Sequence, residues 1–274
     1  MDNVERHYNQ VELERIIFLA LEYDGIDLER LALDDLAPID EFHIRGAEAT
    51  IELAEEIGLG QGMQVLDVGS GLGGPSRRLA SVYGCHVTGL DLTEAFCRAA
   101  KAISARLGLD HLVSYRTGNA LDMPFGDISF DVLWTQHVAM NIAKKNQLYT
   151  EIYRVLKPGG RLAIYDAIAG PGGEVYFPIP WARDPSISFL VTNEKLRHFL
   201  DQAGFTIISW RDTTEAGLAW FREKSAQIKE QGRPAVGYHI LLGEDFPQMT
   251  RNQLRSLNEN RMALLQVIAE RPAK

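Results

Sequence analysis

From residue 64 onward, short apolar runs alternate with longer stretches in which apolar residues recur every three or four positions. The short runs are Val65–Val68, His86–Leu90, Val113–Thr117, Val132–Thr135 and Leu162–Asp166, separated by helical patterns of about ten to fifteen residues. This rhythm predicts an α/β fold of parallel strands joined by right-handed crossovers, with ligands at the strands' C-terminal ends. Ahead of it, from about Asn9 to Ile57, Val11, Ile16, Phe18, Leu19, Leu21, Leu28, Leu31 and Leu33 fall at helical spacing, with breaks at Gly25 and Pro38. A third helix over about Ile44–Ile57 meets the first strand through Gly58, Gly60 and Gly62. Past Ala169 the rhythm stops. Gly170-Pro171-Gly172-Gly173 opens a long irregular stretch that runs to Pro185. A helix (Asn193–Ala203), a strand (Phe205–Trp210), helices near Ala216–Glu230 and Gln248–Asn260, and a strand at Ala263–Ala269 finish the pattern.

The first apolar run leads directly into Gly69-Ser70-Gly71-Leu72-Gly73-Gly74. Glycines there permit positive φ and close backbone approach, so amide N–H groups can face a ligand. The helix that follows, with Pro75 in its first turn, brings its dipole-positive end to the same place. Twenty-two residues beyond Gly69 the second strand ends at Asp91, placed to take a ribose diol. Gly69, Gly71 and Gly74 also satisfy the dinucleotide G-x-G-x-x-G pattern, which keeps a nicotinamide oxidoreductase open on the turn alone. Asp67 argues the other way. A carboxylate two residues before the first glycine repels a pyrophosphate and suits an ammonium group.

Two further segments join this turn: Phe130-Asp131-Val132-Leu133-Trp134, and Arg154-Val155-Leu156-Lys157-Pro158-Gly159-Gly160-Arg161-Leu162. In this order and spacing the chain from about Asp40 to Phe205 resembles the class I S-adenosylmethionine-dependent methyltransferases, a group containing small-molecule N- and C-methylating enzymes. More narrowly, Asp40-Glu41-Phe42-His43 and Asp67-Val68-Gly69-Ser70-Gly71-Leu72-Gly73-Gly74 are similar to the sarcosine/dimethylglycine methyltransferase type. The resemblance implies a Rossmann-like seven-stranded sheet, mostly parallel with the last strand antiparallel. It also implies an N-terminal helical cap over residues 1–60 and a cofactor-binding core over 61–274, with substrate-covering insertions at about 170–190 and 212–260.

It implies a site as well. S-adenosylmethionine would lie against Asp67, Gly69, Ser70, Gly71, Asp91, Leu92, Asn119, Ala120 and Gln136. Leu92 would pack on the adenine. Asn119 stands where such enzymes often carry an acid, and its amide can still accept from the adenine amino group. His137, after the fourth strand, borders the expected methyl position; the choice lies between a base and a packed imidazole. As a base, it would make turnover rise with pH through a histidine-like pKa. His43 divides between a substrate or cofactor-carboxylate contact and capping of the third helix. Tyr176 and Trp181, in the Gly- and Pro-rich stretch, are expected in a mobile lid over the substrate. Trp210, Trp220 and Phe221 are expected in the core, and Lys157-Pro158-Gly159-Gly160 is a structural turn.

Composition narrows the partners. With 37 acidic against 28 basic residues, the formal charge of −9 argues against non-specific nucleic-acid binding. Met1-Asp2-Asn3-Val4-Glu5-Arg6 lacks the basic-then-apolar layout of a signal peptide, and the run Ile16–Leu21 is too short to span a bilayer. Cys85 and Cys97 read as buried small hydrophobes in a reduced compartment, so a cytoplasmic location is expected. No histidine–carboxylate cluster has metal-ligand spacing, and no metal is expected. The expected function is methyl transfer to a small-molecule acceptor, with an amine nitrogen among the candidate targets. The alternatives are a nicotinamide oxidoreductase and a non-catalytic module that only binds the cofactor.

Overall fold

The computed structural model describes residues 13–232 and 234–273. The expected helical positions Asn9 to Val11 and the N-terminal Met1–Arg6 lie outside the described residues. Three helices come first: α1 (Leu13–Tyr23), α2 (Leu33–Asp40) and α3 (Gly46–Ile57). There follow β1 (Gln64–Val68), α4 (Gly74–Tyr83), β2 (His86–Asp91), α5 (Glu94–Arg106), β3 (Val113–Thr117) and β4 (Phe130–Gln136). Then come α6 (Lys145–Val155), β5 (Leu156–Ala169), α7 (Asn193–Ala203), β6 (Thr206–Asp212) and α8 (Thr214–Gln231). A short α9 (His239–Leu242), α10 (Phe246–Asn258) and β7 (Met262–Glu270) complete the chain.

The seven strands form one sheet in the order β3-β2-β1-β4-β5-β7-β6. The first five strands in that order pair in parallel, and β7 runs antiparallel to both its neighbours. The sheet reverses direction of strand order at β1 and β4, which puts the ligand crevice beyond their C-terminal ends. Side chains alternate between two cores as the pleat requires. Val65, Trp134, Ala163 and Tyr165 face one hydrophobic cluster, with α3, α4 and α8 over it. Leu66, Leu133, Leu162 and Ile164 face the other, covered by α6 and α7. Both faces are therefore buried, and the strands read as nearly continuous apolar runs.

A third cluster stands apart from the sheet. It gathers Leu13, Ile17 and Leu21 of α1, Leu36 and Ile39 of α2, Leu72, Phe96, Val236, Leu241, Leu242 and Met249. Thus the N-terminal helices roof the glycine-rich end of the sheet.

Two differences from the expected elements have clear causes. β5 starts at Leu156 and ends at Ala169, well beyond the apolar run, because β7 pairs with it in register from Arg161 through Ala169. Gly159 N–H also donates to Arg271 O, which draws the polar turn Lys157–Gly160 into the ladder. The register of β6 against β7 slips between Ile207 and Ser209, leaving Ile208 outward and 58% exposed. Phe221 is buried, whereas Trp210 and Trp220 are half-buried. No helix among the described residues is long and apolar enough to cross a membrane.

Candidate active site

The turn after β1 is built by its glycines. Gly69, Gly71 and Gly73 have φ of +76°, +52° and +81°. Gly69 and Ser70 N–H groups donate to Leu90 O (2.7 and 3.1 Å), tying the turn to β2. A Cβ on Gly69 would fall 2.3 Å from Val138, and one on Gly73 2.1 Å from the Tyr115 hydroxyl. At Gly71 a Cβ would meet nothing within 4 Å, because that residue opens on a cleft of about 610 Å³. A ligand can approach the backbone there.

Two acids flank the turn. Asp91 accepts from Gly71 N–H through one oxygen and from Thr93 N–H through the other, each at 2.8 Å. It thereby fastens the glycine turn to the start of α5, while both oxygens keep further lone pairs toward the cleft. Burial pushes its carboxyl upward, and the two amide bonds oppose that shift. Asp67 accepts from the Ser76 hydroxyl at 2.5 Å. Burial first, with Asp91 and Glu41 adding repulsion, pushes its carboxyl up to about 7 from an ordinary 3.8. Ser70 Oγ is buried with no partner, an acceptor and donor left for something in the cleft.

Beyond β4 lies a polar knot. Trp134 Nε1 donates to Gln136 Oε1 (2.8 Å), and the Thr50 hydroxyl donates to Glu41 Oε2 (2.8 Å). His43 Nε2 sits 2.9 Å from Gly46 O and 3.2 Å from both Thr50 Oγ1 and Gln136 Nε2. Burial takes His43 down to about 4, so its ring is neutral at physiological pH. His137 is in the left-handed region (φ +53°), pinned by its N–H to Tyr165 O at 2.8 Å. Its ring centroid lies 6.1 Å from His43 and 5.1 Å from Tyr165, and its Nε2 is buried without a partner. Burial, with His43 beside it, lowers His137 well below its ordinary value.

Under this knot two arginines of α4 are sunk into the protein. Arg77 donates to Asp40 Oδ2 at 2.6 Å and to the Tyr115 hydroxyl at 3.2 Å, and Arg78 Nε donates to Glu41 Oε1 at 2.6 Å. On the opposite wall Lys145 donates to Ala139 O, Ile142 O and Phe189 O (2.6, 2.5 and 2.9 Å). Asp166 accepts from Ala139 N–H at 2.9 Å, so both backbone polar groups of Ala139, two residues past His137, are held by side chains.

The cleft brings together Asp67, Gly69, Ser70, Gly71, Asp91, Leu92, Asn119, Ala120 and Gln136, with His43 and His137 at its other end. Asn119 Oδ1 also accepts from Leu121 N–H (2.9 Å), which holds the amide in its own turn. Tyr176 and Trp181 are not among the cleft's lining residues. The Tyr176 hydroxyl donates to Glu259 (2.7 Å), and its ring stacks with Arg255 and Arg261 (3.9 and 4.2 Å) on the outer surface. Trp181 is fully buried in the first core, where its Nε1 donates to Ser188 Oγ (3.0 Å). The stretch is also wedged at its start: a Cβ on Gly170 or Gly172 would fall 2.1 Å from a carbonyl oxygen of Asn260 or Glu259. Asn141 Nδ2 ties it further by donating to Trp181 O (2.9 Å) and Ile187 O (2.8 Å). Tyr176 and Trp181 thus sit in a packed connection away from the cleft, while Ile187 and Phe189, just past it, reach the cleft wall. Residues that the sequence did not single out also line the cleft: Ile39, Phe42, Asn141, Ile187, Phe189 and Leu241. Their sequence signals are the proximity of Phe42 to His43 and of Asn141 to His137, and for Ile187, Phe189 and Leu241 their place in the stretches expected to cover substrate.

Replacement of Asp91 by alanine is expected to weaken S-adenosylhomocysteine binding by two orders of magnitude or more. It removes a charged acceptor worth about 1.5–3 kcal/mol per bond and also frees Gly71 and Thr93 N–H. Calorimetric titration checks this, and an unchanged dissociation constant would exclude Asp91 from the ribose.

Comparison with known proteins agrees with this geometry. Residues 66–164 match the family model described as a methyltransferase domain. Over 231 residues the chain is 36% identical to a glycine/sarcosine/dimethylglycine N-methyltransferase of Actinopolyspora halophila, covering 84% of this chain and 39% of that protein. The chain therefore spans about two fifths of that relative's length. Geranyl diphosphate C-methyltransferase of Streptomyces coelicolor A3(2), solved with S-adenosyl-L-homocysteine, superposes with a TM-score of 0.72 at 18% identity, covering 98% of this chain and 96% of that one. The [4+2]-cyclase SpnF superposes with a TM-score of 0.64 at 26% identity, covering 83% and 82%.

Proposed function

Because this chain carries a class I S-adenosylmethionine-dependent methyltransferase domain, we propose that it moves a methyl group to the amine nitrogen of a small molecule. The residues fit that cofactor. Gly71 opens on the cleft, Ser70 Oγ lacks a protein partner, and acids stand where a ribose diol and an ammonium group would come. When bound, S-adenosylmethionine supplies a methyl already activated as a sulfonium. The protein's share is alignment, exclusion of water and management of the acceptor's proton.

The observation that carries the amine reading is the pair of neutral imidazoles at the far end of the cleft. A cationic histidine could take no proton. Burial holds His43 and His137 neutral, so an imidazole beside the acceptor is free to receive one. The same burial disfavours an ammonium and favours the free amine, whose lone pair can attack. His137, with Nε2 unpartnered, is positioned to accept the proton that the amine must lose. Ile187 and Phe189 give the acceptor apolar walls, suited to an amine with an apolar body. The relative named for glycine, sarcosine and dimethylglycine supports nitrogen as the target.

The test is transfer of label from S-adenosylmethionine to a panel of sarcosine, dimethylglycine, phenethylamine and a sterol, with product position read by mass spectrometry. Label on nitrogen is expected. Label on carbon, or none across amines, would overturn the reading.

A pH effect follows from Asp67. The raised carboxyl holds its proton between about 3.8 and 7 in the folded protein while the unfolded chain has lost it. Fold stability from this group therefore falls as pH rises through that window. Binding runs opposite, since an ammonium group needs the carboxylate. S-adenosylhomocysteine should bind more tightly as pH passes 7, and its stabilisation in thermal melts should be larger at pH 8 than at pH 6. An Asp67→Asn variant should lose that dependence.

A further inference from the structure

Apart from the connection after β5, the cleft has a roof. Leu241 lines it from above, beside Ile39 and Phe42, and all of these lie over Leu72 of the glycine turn. Leu241 belongs to the third hydrophobic cluster, which shares no strand with the sheet. That cluster can loosen without opening either sheet core.

Its two parts are held differently. The α2 side is anchored by buried ion pairs, Arg77 to Asp40 and Arg78 to Glu41, at 2.6 Å each. The other side, residues 234–243, is tied by lighter bonds. The Tyr238 hydroxyl donates to Glu41 O, and its ring meets Phe42 with centroids 4.7 Å apart. At the near end the exposed Asp24 carboxylate accepts from Ala235 N–H (2.9 Å) and Val236 N–H (3.2 Å). Glycines mark both ends of the segment, Gly232 shortly before it at φ +84° and Gly243 as its last residue at φ +72°. A Cβ on either would meet nothing within 4 Å, so neither glycine serves close packing; each serves its backbone angle. Within the segment, Leu241 and Leu242 N–H groups both donate to Tyr238 O (3.1 and 2.9 Å), making a compact piece that can move as one.

We propose that residues 234–243 form a strap that opens to admit and release the cofactor and closes over it, with the Tyr238–Glu41 bond as its latch. This rests on the cofactor reading above. Closure sets Leu241 and Phe42 against the bound molecule, so the strap governs its exchange rate more than the chemistry of the site.

Hydrogen exchange and stopped-flow release of S-adenosylhomocysteine test it in the full chain. In the native protein, amides of 234–243 should exchange more slowly once S-adenosylhomocysteine is bound. Tyr238→Phe should speed their exchange about tenfold in the free protein, leave α4 amides unchanged, and raise the release rate three- to tenfold. Asp24→Ala, at an exposed position away from the cleft, should loosen the strap from its other end and keep the protein folded. A strap equally protected in the native protein and both variants would overturn the proposal. So would a loosened strap with an unchanged release rate. A protein that binds no S-adenosylhomocysteine would instead strike the cofactor reading, and the exchange rates of the free variants would then decide against the latch or for it.

Discussion

Substitution of His137 by asparagine should lower turnover by about 10²–10⁴-fold at saturating cofactor, the loss expected for a positioned base. Asparagine tolerates the left-handed backbone that this position demands (φ +53°), so the change reports on the imidazole and spares the turn. Cofactor affinity should move less than threefold. The pH profile carries the finer information. A surface-like histidine would give a rising limb near its ordinary 6.5, as the sequence alone suggests. Burial lowers His137 well below that, so the free base is present throughout the neutral range. Native turnover should therefore be flat from pH 6 to 7.5 as far as this group is concerned, with any histidine limb displaced to lower pH. The measurement uses the acceptor found by label transfer. A fall of less than threefold in His137→Asn would remove the base role and leave alignment alone to carry the reaction.

A second large effect concerns stability. Arg77→Met leaves the buried Asp40 carboxylate without its guanidinium and should cost about 3–5 kcal/mol. For a chain of this length that corresponds to a drop in Tm of roughly 6–20 °C. Burial already pushes Asp40 up to about 6, above its ordinary 3.8. With Arg77 gone the stranded group can escape part of the cost by taking a proton. The loss should thus be larger at pH 8 than at pH 5, and adding Asp40→Leu should recover much of it. Urea unfolding at both pH values checks the size and the sign together; a loss under 1 kcal/mol would mean that the pair contributes nothing net.

These effects also mark the boundary of what the sequence displayed. Strand positions, helix rhythm and the glycine turn were legible because each is written in local spacing: period two, period three to four, and residues that tolerate positive φ. Asp67, Asp91, Gln136 and His137 were legible for the same reason, being strand-end residues of recognisable strands. Arg77 and Arg78 were not, since the acids that make them burial-competent lie 37 residues earlier. Lys145 and Asp166 likewise meet only in the fold, where both hold the backbone of Ala139. The packing of Tyr176 and Trp181 was not legible, because glycine, proline and aromatics suit a mobile cover and a wedged connection equally. What distinguishes them is the backbone of Glu259 and Asn260, against which Gly170 and Gly172 press. Nothing near Tyr176 in sequence signals that contact.

The slip between Ile207 and Ser209 has a consequence outside the active site. β6 is one rim of the sheet, and a rim strand offers unpaired amides and carbonyls to any passing chain. The extra residue bends this rim, and Arg211, held by Glu52 and Glu56, places charge along it. A second molecule meeting that edge finds a kinked, charged partner on which a flat ladder cannot form. Deleting Ile208 would remove an exposed apolar side chain, but it would also straighten the rim, and the shortened protein should aggregate sooner on concentration than the native one.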